Sequence, residues 1–133
     1  MAIQVLDEKP QILVVEDNID SLIYITSALT LFGYSFATAQ YAQPALYLAK
    51  RHLPNLILLD IGLPERSGLE LARDLKHDRS TRKIPIVVIS ALGVPELKKQ
   101  TLLLGCDDYL SKPYLLEELE QKINSFFSLA IAV

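Results

Sequence analysis

Glu16-Asp17, Asp60, Ser90 and Lys112 share one feature of position: each stands at or shortly after the end of an apolar run. Glu16-Asp17 follow Ile12 to Val15 (ILVV), Asp60 follows Leu56 to Leu59 (LILL), and Ser90 follows Ile84 to Ile89 (IPIVVI). Lys112-Pro113 come just after a weaker run, Asp107 to Leu110. Three carboxylates brought together repel unless a cation or a proton holds them. Hard oxygen donors in a small cluster suit Mg²⁺, which keeps several waters and takes one or two carboxylates beside phosphate oxygens. A lysine and a hydroxyl across from them suit a phosphoryl group. Together these groups would support metal-assisted phosphoryl transfer to a carboxylate.

Taken singly, each has a plainer explanation. An acidic pair after a strand caps the next helix about as often as it binds anything. Asp60 before a loop holding Gly62 and Pro64 reads as turn chemistry. Ser90 or Lys112 alone carries almost no signal. The weight lies in all of them closing strands of one sheet, because open parallel sheets bind ligands beyond the carboxyl ends of their strands.

That sheet follows from the pattern. The apolar runs do not alternate with polar residues, as strands covered on both faces do not. Tyr34 to Ala39 adds a weaker strand. Between the runs lie helical spacings: Ser21 to Phe32 stopped by Gly33, a helix started by Pro44, a segment after Gly68, Pro95 to Leu104 stopped by Gly105, and Leu115 to Phe127. Five strands alternating with five helices predict an α/β, flavodoxin-like, doubly wound parallel sheet in the order 2-1-3-4-5. Strands 1 and 3 are then neighbours, ~4.8 Å apart, which sets the three carboxylates on one rim.

Composition narrows the rest. The chain has 133 residues, half of them hydrophobic and 22% charged, with 13 basic against 16 acidic residues and a net charge of −3. One domain over 1–133 is expected, without the basic stripe of a duplex binder, so no direct nucleic-acid contact. Cys106 is the one cysteine, which fits a reducing, cytoplasmic setting and a small packing residue. No apolar run approaches the ~20 residues that cross a bilayer, and MAIQVLDEKP is no secretory leader, so no membrane partner is expected. His52 and His77 read as surface residues. The terminal SLAIAV is too short to anchor the chain and is expected to extend the last helix or pack on a neighbour.

The stretches VVEDN (Val14 to Asn18), LILLDIGLPERSG (Leu56 to Gly68), VVISA (Val87 to Ala91) and GCDDYLSKPY (Gly105 to Tyr114), in this order and spacing, resemble the receiver domain of two-component response regulators over about residues 10 to 128. The resemblance implies a stand-alone receiver, and it assigns roles residue by residue. Asp60 matches the phosphoacceptor, which takes a phosphoryl group from a histidine kinase or a phosphotransfer protein. Asp17 matches the direct Mg²⁺ ligand, Glu16 its acidic neighbour acting mostly through water, and the backbone carbonyl of Gly62 a further ligand. Ser90 matches the switch hydroxyl, Lys112 the phosphate-pairing lysine and Tyr109 the switch aromatic. Pro113 stands where the family often has a cis peptide bond. Such a domain is not an enzyme beyond its own phosphorylation and dephosphorylation.

Two positions depart from the family pattern. Gly62 has no side chain to orient a hydrolytic water, and Leu92 is apolar where many members are polar, so a long-lived phospho-form is expected. Output is expected through the fourth helix, fifth strand and fifth helix, with Lys98, Leu102, Leu103 and Tyr109 facing a downstream protein or a second copy in a homodimer. For Tyr109 a half-buried strand aromatic remains an equal reading. Two other functions compete: a receiver-like interaction module that ignores phosphate, and a hydrolase passing through an aspartyl-phosphate. The latter is disfavoured, because haloacid-dehalogenase-like enzymes carry a second aspartate at the position held here by Gly62.

Overall fold

In the computed structural model the chain runs β1 (Ile12–Val15), α1 (Ile19–Phe32), β2 (Phe36–Ala39), α2 (Ala42–His52), β3 (Leu56–Asp60), α3 (Gly68–His77), β4 (Ile86–Ser90), α4 (Pro95–Leu103), β5 (Asp108–Ser111) and α5 (Leu116–Phe127). Residues 9–62, 67–91 and 95–127 are described, the backbone alone for 95–97. Pro64, Leu92 and the SLAIAV tail therefore lie outside the described residues. All pairings are parallel and the order is β2-β1-β3-β4-β5, as the alternation of runs and helices predicts.

Successive strand residues point to opposite faces, so one run feeds two cores. Leu13, Val15, Ile57, Leu59 and Val88 pack with Ala45, Leu71 and Leu75 of α2 and α3. Ile12, Val14, Leu56, Leu58 and Val87 pack with Ile25, Leu29, Leu119 and Ile123 of α1 and α5. Leu116, Leu119, Ile123 and Phe126 of α5 face this second core, and Leu102 and Leu103 of α4 point outward as expected. Cys106 is buried, and burial pushes its thiol up to about 11, as suits a packing residue.

Boundaries move where side chains cap. α1 starts before Ser21 because Asn18 Oδ1 accepts from Ser21 N at 2.9 Å. Pro44 falls in the third position of α2, not at its start; the first four helical N–H groups lack partners anyway, so a missing one costs little there. β2 begins only at Phe36, because Tyr34 turns away, its hydroxyl donating to Asn124 Oδ1 at 2.7 Å and its ring lying 4.8 Å from Phe127. Asp107 precedes β5 rather than opening it, its carboxylate accepting from Ile86 N at 2.8 Å and from Lys76 Nζ at 3.2 Å.

Candidate functional site

The sheet register carries the acidic residues to one place. Val15 pairs with Leu59 and Asp60 with Ile89, so Glu16, Asp17, Asp60 and Ser90 emerge together at the carboxyl edge. Glu16, Asp17 and Asp60 each offer an oxygen, all within 4.8 Å of one another. Lys112 is drawn in by its own N–H, which donates to Ser90 O at 2.8 Å. Its Nζ then donates to Asp60 Oδ2 and Glu16 Oε1, both at 2.9 Å. The Lys112–Pro113 bond is cis.

Asp60 Oδ1 accepts from Gly62 N at 2.8 Å, so both carboxylate oxygens are held. Burial opposes its charge, but hydrogen bonds from Glu16, Lys112 and the Gly62 N–H outweigh it and hold its pKa below the usual carboxylate value. Glu16 behaves the opposite way. It is 1% exposed, and burial, then a proton shared with Asp60, pushes it from 4.5 up to about 7 despite Lys112 and the Asn18 N–H. Lys112 is raised: burial works against its charge, and the two carboxylates more than restore it. Burial and the shared hydrogen bond thus favour the proton on Glu16 rather than on Asp60.

A pH dependence follows from Glu16. A group whose folded pKa is raised contributes stability below its unfolded value and loses it as pH climbs through the folded one. In metal-free protein, stability should therefore fall between about pH 4.5 and about pH 7 through this group. Asp60, with its depressed value, acts in the other direction and only at lower pH. Urea midpoints measured across that range should decline in wild type and flatten in Glu16→Gln; equal slopes would contradict the shared-proton account.

The remaining sequence candidates are placed as follows. Ser90 is buried beside Asp60 at the end of β4, and Tyr109 is buried on the α2–α3 side of the sheet, more deeply than a half-buried strand aromatic. Lys98, Leu102 and Leu103 are exposed on α4. Lys122 of α5 pairs with Asp108 of β5 at 2.9 Å, tying that face together. His52 and His77 join no metal-binding group among the described residues.

Three features were not read from sequence. Asn18 both caps α1 and donates its N–H to Glu16 Oε2 at 3.1 Å; its place just before a helix was the available signal. Gly68 lies so close to β3 that a Cβ would sit 2.6 Å from Ile61 Cα and 2.7 Å from Asp60 O. An open cleft of about 640 Å³ borders Lys112, with Tyr24 and Tyr114 in its wall and their rings 5.8 Å apart.

A doubly wound α/β sheet with an acidic, lysine-bridged pocket at its carboxyl edge defines the class. The model of the response regulator receiver domain matches residues 12–124, and the chain belongs to that family of two-component systems. It is 40% identical over 114 residues to the phosphate regulon transcriptional regulatory protein PhoB of Pseudomonas aeruginosa, covering 86% of this chain and 50% of that protein. The chain thus spans half the length of that relative. It is 34% identical over 115 residues to the polar-differentiation response regulator DivK of Brucella ovis, covering 86% of this chain and 94% of that one. Among solved structures, the receiver domain of the sensor histidine kinase PA1611 from P. aeruginosa superposes with a TM-score of 0.82 at 28% identity, over 90% of this chain and 98% of that one; a magnesium ion is coordinated in its active site cleft. Among the described residues no helix is long and apolar enough to cross a membrane.

Proposed function

We propose that this chain is a cytoplasmic phosphoacceptor, taking a phosphoryl group on Asp60 from a phosphohistidine of a kinase or phosphotransfer protein. One observation carries the reading: three carboxylates gathered within 4.8 Å, with a lysine 2.9 Å from Asp60. The all-oxygen donor set fits Mg²⁺, with Glu16, Asp17, Asp60 and the Gly62 carbonyl as its holders. Bound there, Mg²⁺ neutralises charge on the transferring group.

Asp60, kept ionised, attacks phosphorus; the new P–O bond forms as the P–N bond to the donor imidazole breaks and the imidazole leaves. Lys112 pairs with the phosphoryl oxygens and Ser90 donates to another. Phosphorylation adds roughly −1.5 to −2 charge, and Ser90 moving toward it vacates space that Tyr109 adjusts to fill. That biases a two-state surface on α4, β5 and α5, where Lys98, Leu102, Leu103 and Tyr109 meet a downstream protein or a second copy. Gly62 puts no side chain over Asp60, so no group there organises a hydrolytic water.

Incubation with acetyl phosphate and Mg²⁺ should add one phosphoryl mass to wild type and none to Asp60→Asn. The adduct should decay over minutes or longer after the donor is removed. No mass gain in wild type, with partners captured equally by both proteins, would establish the phosphate-independent module instead.

A further inference from the structure

The edge of the sheet opposite Asp60 has a chemistry the phosphoryl site does not use. Each helix runs back against the strands, so helix C-termini and the loops leading into strands collect at the amino edge. Five exposed cations lie there: Lys9, Arg51, Arg79, Arg82 and Lys83. None has a carboxylate within 4 Å among the described residues, whereas Asp78 is held by Lys50 at 3.1 Å and Asp107 by Lys76 at 3.2 Å. The carboxyl edge is the reverse, with Glu16, Asp17, Asp20 and Asp60 around Lys112. Among the described residues, a protein of net charge −3 thus has a cationic amino edge.

The same end carries bare leucines. Leu31 stands in the last turn of α1 at 73% exposed, and Leu53 follows α2 at 42%. Leu53 also holds the left-handed cap position, φ 48°, its N–H donating to Ala49 O at 2.9 Å. Glycine or asparagine takes that conformation with less strain and exposes no apolar surface. Single leucines on separate helix ends make no groove for a folded partner to fill. On an edge that also carries arginine and lysine, they match what enters the headgroup layer of an anionic bilayer.

We infer that the amino edge of the sheet is a peripheral docking surface for anionic phospholipid, leaving the Asp60 pocket facing solvent. The absence of an apolar span excludes crossing, not lying on, a membrane; these residues come from separate segments, and only the fold brings them together. The acidic edge does not oppose binding, because strands of four or five residues hold the two ends about 15 Å apart, beyond a Debye length of ~8–10 Å.

Co-sedimentation of the full chain with phosphatidylcholine vesicles, with and without about one-third phosphatidylglycerol, tests this. Binding should require the anionic lipid and drop at least about tenfold for Arg79→Glu with Arg82→Glu. Leu31→Ser with Leu53→Asn should weaken it severalfold at unchanged net charge, with circular dichroism unaltered in both variants. Asp60→Asn should bind like wild type, which separates this result from the phosphoryl assay. No anionic-vesicle binding at 0.1 M salt, equal binding by the charge-reversed protein, or capture of polyglutamate but not vesicles would each overturn the proposal.

Discussion

Lys112→Met should lower the rate of Asp60 phosphorylation by small phosphodonors by at least about 100-fold, the usual cost of removing one donor aimed at developing anionic charge. Methionine keeps the length and the apolar stem but removes the Nζ that lies 2.9 Å from both Asp60 and Glu16. Two carboxylates then face each other with only a proton between them, and Asp60 loses part of what keeps it ionised. Leaving one partner of a buried pair uncompensated costs several kcal/mol. Here Lys112 is 21% exposed and Glu16 can hold a proton, so about 1–3 kcal/mol at neutral pH is expected, and less at pH 5. Mass spectrometry of the phosphorylation time course and urea unfolding at the two pH values measure the two effects. A rate within threefold of wild type would remove Lys112 from the transfer step.

Gly68→Ala is the second large effect, and it is structural. Gly68 N donates to Ile61 O at 2.8 Å, folding α3 back onto the end of β3. The added methyl would lie 2.6 Å from Ile61 Cα, well inside contact distance, and the opposing atoms are backbone that cannot rotate away. Overpacking of this kind costs about 1–3 kcal/mol, and relief by moving the segment after Asp60 disturbs the bond from Gly62 N. Gly62→Ala is the matched control: among the described residues its Cβ meets only Asp60 Oδ1, at an ordinary 3.5 Å, and it should cost under about 0.5 kcal/mol. Equal unfolding midpoints for the two variants would refute the close-approach argument.

The order of elements, the strand order and the set of residues at the carboxyl edge were legible because each rests on local pattern. Runs such as ILVV and LILL report that neither face meets water, and in a parallel sheet the residue closing such a run has one place to go. Boundaries were less legible, since they depend on caps: Asn18 lengthens α1, and Asp107 delays β5 by bonding Ile86 N and Lys76. The burial of Tyr109 was left open by sequence, because one strand residue reads alike whether its neighbours cover it or not.

What the amino-acid sequence determined by itself is the architecture, the family resemblance and the acid, hydroxyl and lysine positions of the pocket. Tertiary structure alone decided that Lys112 bridges Glu16 to Asp60, two residues 96 positions apart in the first pair and 52 in the second. It also decided that Gly68 must be bare, and that cations and leucines from separate helix ends share the opposite edge. The reason is physical: periodicity records how each residue meets water, whereas these contacts depend on sheet register and helix placement, which bring distant segments within bonding distance.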